Sequence, residues 1–398
     1  MAERPGGGLA GGFRAAGATA GIKPSGDPDL ALLVCSEPAA VSAARFTRSG
    51  APAAPVRLCR SRCRLDALAA VLVNSGNANA ATGNRGFEDA ARMQGAAAMA
   101  AGVSEDRVAV ASTGVIGVPM PMDGVMKGIL AARDALAPDG DHEFWRAIAT
   151  TDKFEKLLTL DVALPSGGVR ISAQAKGAGM IQPGFATLLC FVQTDAVLAA
   201  ETAELLLGVC VKRSFERISV DGQLSTNDAA LLMASGASGV TVQPESEDEL
   251  RLGEALDYAL RRLALQIVRD GEGAARIGRV HVRGGHEQTV ERVARAIANS
   301  PLVKAALNGG DPNWGRIAQA VGAAVPGPEP LLFDICIEGV QVCSGGAAVP
   351  HDVGALADAV AGDEVEYVVG LPGEGAETEV FFSDLSHDYV RINAEYTT

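Results

Sequence analysis

The stretch Lys176-Gly177-Ala178-Gly179-Met180-Ile181-Gln182-Pro183-Gly184-Phe185-Ala186-Thr187-Leu188-Leu189 decides how this chain is read. Its first part is rich in Gly and Pro, which predicts a loop. Its last residues open the apolar run Leu188-Leu189-Cys190-Phe191-Val192, closed by Gln193-Thr194-Asp195. A short apolar run between turn residues predicts a buried strand. Thr187 therefore falls where a tight loop meets a core strand, with its hydroxyl held in one place. On residue type alone, such a threonine bonds to nearby backbone and does nothing more.

Working outward, apolar runs at 30–34 and 67–73 predict further buried strands, and 108–111 a short one. Residues 88–101 are Ala-rich and helical by propensity. A helix over 141–149 would bury Phe144, Trp145 and Ile148, and 199–212 reads as another. Leu256, Leu260, Leu263 and Ile267 share one helical face that ends at Asp270-Gly271. Ser225-Thr226-Asn227-Asp228 has capping-box-like spacing, which predicts a helix continuing over 229–234. A helix at 291–298 and strands at 331–337, 366–370 and 380–383 follow. The first residues, with Gly6-Gly7-Gly8, read as a frayed terminus. The sum is a mixed α/β protein with buried strands.

The 398 residues exceed one typical domain, so two or three compact units are expected. The formal net charge of −14 argues against sequence-independent nucleic-acid binding and against docking on an anionic membrane. No apolar stretch is long enough to span a bilayer, and residues 1–12 hold no apolar segment of the secretory kind. Seven scattered cysteines are an odd number. Cys59 and Cys63 lack a second pair or a nearby His, so no metal site is expected, and free thiols in a reducing cytosol are the simplest account.

Several strings carry more than propensity. Asn74-Ser75-Gly76-Asn77-Ala78-Asn79-Ala80-Ala81-Thr82-Gly83 is a turn with many donors. In Ser112-Thr113-Gly114-Val115-Ile116-Gly117 a strand empties into a Thr-Gly turn, which can point backbone N–H groups at a developing anion. Thr150-Thr151-Asp152, Ser219-Val220-Asp221-Gly222-Gln223, Gly271-Glu272-Gly273-Ala274-Ala275-Arg276, Asp311-Pro312-Asn313-Trp314-Gly315-Arg316-Ile317 and the closing Arg391-Ile392-Asn393-Ala394-Glu395-Tyr396-Thr397-Thr398 complete the set. A second Gly-Glu-Gly at 373–375 lies between predicted strands, where a turn is explanation enough.

With these strings in this order from Gly12 to Thr398, the chain resembles the ornithine acetyltransferase family, the glutamate N-acetyltransferases of arginine biosynthesis. The resemblance implies a four-layer α-β-β-α sandwich that cuts itself between Ala186 and Thr187. It implies an α chain of residues 1–186 and a β chain of 187–398, paired as an α2β2 heterotetramer. Thr187 would be the nucleophile, Thr113 and Gly114 the oxyanion hole. Thr150, Lys176, Thr187, Glu272, Asn393 and Thr398 would bind substrate. No cofactor is implied. The chain departs from the family pattern at Arg45, Lys153, Glu155, Phe185, Gln223 and Arg276.

The chemistry implied is a ping-pong transfer of acetyl from N-acetylornithine to glutamate, with acetyl-CoA left open as an additional donor. It is physically coherent. A Thr hydroxyl needs a base, and cleavage before Thr187 would free an α-amine with a pKa of about 7.7–8.0 in model peptides. Gly184 would permit the tight backbone that self-cleavage requires. Lys176 suits a substrate carboxylate and Glu272 an ammonium, by charge-assisted contacts; by themselves both residues would read as solvated surface charges. Two other readings stand beside this one: an aminopeptidase or amidohydrolase with the same nucleophile, and a specialised or inactive relative.

Overall fold

A computed structural model describes residues 1–182, 188–373 and 375–395. Three sheets organise them. The first orders Phe13–Ala18, Leu30–Cys35, Ala70–Asn77 and Val108–Val115. Its last two strands are parallel, and the helix Gly83–Ala101 supplies the crossover that parallel pairing demands. Leu30–Cys35 is buried at every residue because both faces of this sheet are covered. Leu32, Leu72 and Val110 pack on the helices Gly83–Ala101 and Met122–Asp134. Leu33, Val71, Val73 and Ala111 face the second sheet.

That second sheet runs Ala2–Glu3, Leu157–Leu164, Gly167–Lys176, Leu189–Thr194, Ala229–Ala234, Val41–Phe46. Leu189, Phe191, Leu231 and Met233 meet the first sheet, with Phe144 edge-on to Phe191 at 5.4 Å. The opposite face, with Cys190, Val192, Ala230 and Leu232, packs on the helices Ala200–Arg213 and Glu247–Arg269. The longer of these starts where theory asks. The Ser246 side chain accepts the Glu249 N–H at 3.2 Å, three acidic residues fill the first turn, and Arg269 closes the last. A third, seven-stranded sheet from Ile218–Ser219 to Ala347–Ala348 builds its own core with helices Glu287–Ala298 and Trp314–Ala324. No helix among the described residues is long and apolar enough to cross a membrane.

Four expectations are overturned. Asn74–Asn77 and Ser112–Val115, read as parts of turns, continue the paired strands Ala70–Asn77 and Val108–Val115. Residues 229–234 form a strand, not a helix. Every residue of Ala229–Ala234 is buried between Val41–Phe46 and Leu189–Thr194, so tertiary pairing overrides the apparent capping box; the Asp228 carboxylate binds the Leu188 N–H instead. The N-terminal residues are not frayed. Ala2 and Glu3 pair with Asp161 and Leu160, Gly8 N–H reaches the Asp141 carboxylate at 2.7 Å, and Leu9 and Ala10 are buried.

The strands Gly167–Lys176 and Leu189–Thr194 are antiparallel with Lys176 opposite Leu189. Ala186–Thr187 thus belongs to the connection between two neighbouring core strands. Ala186, Thr187 and Thr398, together with Pro183, Gly184, Phe185 and Glu374, lie outside the described residues.

Candidate active site

Lys176 ends its strand almost fully buried, at 3 % exposure. Its Nζ donates to Thr113 Oγ1 at 3.1 Å and to Thr150 Oγ1 at 2.7 Å. An ammonium has donors only, so both hydroxyl oxygens accept from it. Their own protons are then left to point elsewhere, and Thr113 and Thr150 both line a cavity of about 140 Å³. Burial lowers the Lys176 pKa, opposed chiefly by the Asp152 charge.

Gly114 follows Thr113 with φ +128°, and a Cβ there would lie 2.3 Å from the Gly76 carbonyl carbon. Glycine at both positions lets the two strand ends touch. Asn227 fastens the same strand ends, its Nδ2 donating to Ala78 O at 2.7 Å and Ser112 O at 2.8 Å. The Asn-rich stretch is spent on itself: Asn74 donates to Asn77 O at 2.8 Å and accepts from the Ser112 hydroxyl at 2.6 Å, and Asn79 donates to Gly86 O. Of this stretch, Ala78 lines the cavity.

Glu272 lines the same cavity and is held from two sides. Thr151 Oγ1 donates to its Oε1 at 2.9 Å and Asn393 Nδ2 to its Oε2 at 3.0 Å. It is 7 % exposed, and a Cβ on Gly179 would lie 2.6 Å from its Oε2. The Glu272 N–H donates to Ala178 O at 2.8 Å. The Gly-rich stretch after Lys176 is therefore the surface against which the glutamate rests. Lys176 and Glu272 are not solvated charges.

A buried node welds these loops together. Lys156 donates to Asp152 Oδ1 at 2.6 Å and to Asp270 Oδ2 at 2.5 Å, and all three side chains are fully buried. Asp152 also accepts from Gly177 N–H at 2.8 Å and Thr150 N–H at 3.0 Å, and Asp270 from Lys153 N–H at 2.9 Å. Burial alone would raise the Asp152 carboxyl, but the Lys176 and Lys156 charges bring it down to about 2. Burial raises that of Asp270.

Five of the six departures from the family pattern, all but Phe185, lie among the described residues. Lys153 serves the node through its backbone. Glu155 meets His142 at 2.8 Å on the exposed side. The Arg276 guanidinium binds the carbonyls of Leu307, Val360 and Gly362, at the last turns of Pro301–Gly309 and Val353–Ala359, where a cation is favoured. Arg45 pairs with Glu204 at 2.7 Å. Gln223 lines the cavity beside Asp221. Of the predicted site residues, Thr113, Gly114, Thr150, Lys176, Glu272 and Asn393 surround one cavity.

Sequence reasoning missed Thr151, Asp152, Asp221 and Tyr389. Asp221 accepts from Met180 N–H at 2.6 Å and Ile181 N–H at 2.8 Å, while the Ile181 carbonyl accepts from Val220, Asp221 and Gly222. Tyr389 O–H reaches Asp221 at 3.4 Å. The i, i+4 spacing of Tyr389 and Asn393 on the helix His387–Glu395 was a usable signal. Asp152 and Asp221 stand inside quoted motif strings, but nothing in those strings names their partners.

The ArgJ family model matches residues 14–398. The arginine biosynthesis bifunctional protein ArgJ of Thermus thermophilus is 45 % identical over 394 residues, 97 % of this chain and 98 % of that protein. The protein of the same name from Symbiobacterium thermophilum is 42 % identical over 391 residues, 97 % of each. A crystal structure of arginine biosynthesis bifunctional protein ArgJ from Bacillus halodurans aligns at 35 % identity and a TM-score of 0.49, covering 52 % of this chain and 98 % of that one.

Proposed function

The chain belongs to the ArgJ family of acyltransferases, and from that premise we propose that it transfers acetyl from N2-acetyl-L-ornithine to L-glutamate by a ping-pong route. Thr187 is the nucleophile and is freed by self-cleavage at Ala186–Thr187. The helix–sheet–sheet–helix stacking of the first two sheets is read as the four-layer sandwich of that family. Residues 1–186 and 187–398 are its two chains, joined as α2β2 in the cytoplasm.

In self-cleavage, Thr187 Oγ adds to the Ala186 carbonyl carbon. The C–N bond breaks, and the hydroxyl proton ends on the departing nitrogen. Water then hydrolyses the ester, leaving an Ala186 carboxylate and restoring the Thr187 hydroxyl. In turnover, the α-amine takes the hydroxyl proton as Oγ attacks the acetyl carbonyl. The Thr113 hydroxyl and Gly114 N–H face the developing oxyanion, at roughly 3–4 kcal/mol per donor. The amine of ornithine leaves with a proton, and the amine of glutamate then attacks the acetyl ester. Lys176 holds a substrate carboxylate and Glu272 the ornithine ammonium, while Thr150, Asn393 and Thr398 complete the pocket.

The observation that carries this reading is that the buried Lys176 and the buried Glu272 line one cavity together with Thr113 and Gly114. That arrangement fits a small zwitterionic amide. Single-turnover kinetics test it. N-acetylornithine alone should leave an acetyl adduct on the peptide beginning at Thr187 and release one equivalent of ornithine. Added glutamate should carry the acetyl away as N-acetylglutamate; release as acetate instead would favour the amidohydrolase reading, and no adduct would refute both.

A further inference from the structure

N-acetylornithine and glutamate, the donor and acceptor proposed above, do not carry the same charges. The donor has one carboxylate and one ammonium. The acceptor has two carboxylates and an amine that must be unprotonated to attack. Among the described residues lining the cavity, Lys176 is the only cation, and Asp221 and Glu272 are the carboxylates. Lys176 takes one carboxylate of either molecule. Glu272, which suits the donor's ammonium, repels the acceptor's second carboxylate. That group needs neutral hydrogen-bond donors elsewhere in the same cavity.

Most of the donors there are spent, counted by what each side chain has to give. The Thr151 hydroxyl goes to Glu272 and the Thr226 hydroxyl to Asn227. Both amide protons of Asn393 are used, on Glu272 and on the Tyr389 carbonyl, and Asn227 Nδ2 serves Ala78 and Ser112. Thr113 and Thr150 stand on Lys176, and Ser225 is buried. Two groups remain. Gln223 is exposed while it lines the cavity, which puts it at the mouth. Its backbone N–H is fixed on Asp221 Oδ1 at 3.1 Å, but its Nε2 meets only the Asp221 carbonyl, at 3.4 Å. The Tyr389 hydroxyl meets Asp221 Oδ2 at an equally long 3.4 Å.

We propose that Gln223 is a specificity-determining residue for the acceptor, its side-chain amide donating to the side-chain carboxylate of glutamate while Lys176 holds the other carboxylate. The Tyr389 hydroxyl is the second donor. The inference rests on the reading of the chain as an acetyltransferase from N-acetylornithine to glutamate. The two molecules share the Lys176 end and part at the other: the ammonium turns to Glu272, the carboxylate to Gln223. A carboxylate at the mouth keeps part of its hydration, which limits the cost of burying it. The Asp221 charge beside it is met from within the protein, by the N–H groups of Met180, Ile181 and Gln223 and by the charge of the buried Lys304. Gln223 makes and breaks no covalent bond.

Gln223→Met and Gln223→Glu in the full chain test this, with glutamine offered as a competing acceptor. Glutamine carries a neutral amide where glutamate carries its side-chain charge. In Q223M, which removes the donor, the KM for glutamate should rise about tenfold, as for the loss of a hydrogen bond to a charged group. In Q223E, which adds repulsion, it should rise further. The same Q223E protein should show a lower KM for N-acetylornithine, since a carboxylate draws its ammonium, and a preference for glutamate over glutamine reduced about tenfold or more. A disturbed fold would instead raise both KM values together, and that result overturns the inference. So does a wild-type KM for glutamate in both variants. A wild-type protein that forms no N-acetylglutamate at all overturns the reading beneath it instead.

Discussion

Lys176 donates to the Thr113 hydroxyl oxygen at 3.1 Å, joining the end of one sheet to the end of another. Because the lysine can only give hydrogen bonds, the Thr113 proton is turned away from it. The isosteric Thr113→Val removes that proton and keeps the packing. It should lower kcat by on the order of 100-fold with little change in KM, while Thr113→Ser keeps most of the rate. Steady-state kinetics that find the wild-type kcat for Val would remove Thr113 from the oxyanion site.

Glu272 has its position set by contact with Gly179. Gly179→Ala would place a Cβ 2.6 Å from Oε2 and must displace the carboxylate without altering its charge. The expected outcome is a KM for N-acetylornithine raised about tenfold, against about 10- to 100-fold for Glu272→Gln, which loses the charge-assisted bond. Substrate-saturation curves of both variants check this. An unchanged KM in both would mean that the carboxylate does not meet substrate.

The Lys156 node predicts a stability effect. Lys156→Met leaves Asp152 and Asp270 facing each other without the cation that bridges them in a fully buried site. Removing one member of a buried pair costs about 3–5 kcal/mol, which urea denaturation would read. A loss below about 1 kcal/mol would show that the two carboxylates relax or share a proton freely.

Acid should weaken the protein through the same node. Asp152 titrates at about 2 when folded and at about 3.9 when unfolded. Its folded pKa is depressed, so its contribution is present above about pH 4 and is lost as pH falls through 2. Asp152→Asn should be less stable than wild type at pH 7, with the difference shrinking below pH 4. A difference that stays constant from pH 7 to pH 2 would contradict the assignment.

Much of the framework was legible because burial on two faces writes itself as an unbroken apolar run: Leu30–Cys35, Ala70–Asn77 and Leu189–Thr194 were all visible this way. The same logic should have applied to Ala229–Ala234. Ser225 and Asp228 disguised it, because a capping-box spacing looks alike whether the carboxylate binds its own helix or a distant N–H such as that of Leu188. Lys176 and Glu272 were found through motif strings. Neither periodicity nor composition distinguishes Lys176 at 3 % exposure from a lysine in solvent. Asp152 and Asp221 were missed because their partners, Lys156, Asp270, Met180 and Ile181, are assembled by tertiary folding.

Intact-mass spectrometry of the purified protein beside Thr187→Ala is the most direct test of the central claim. Two polypeptides, residues up to Ala186 and residues from Thr187 onward, are predicted for the wild type, and a single uncut chain without acetyl transfer for the variant. A wild-type chain that stays whole and still transfers acetyl at full rate would contradict it.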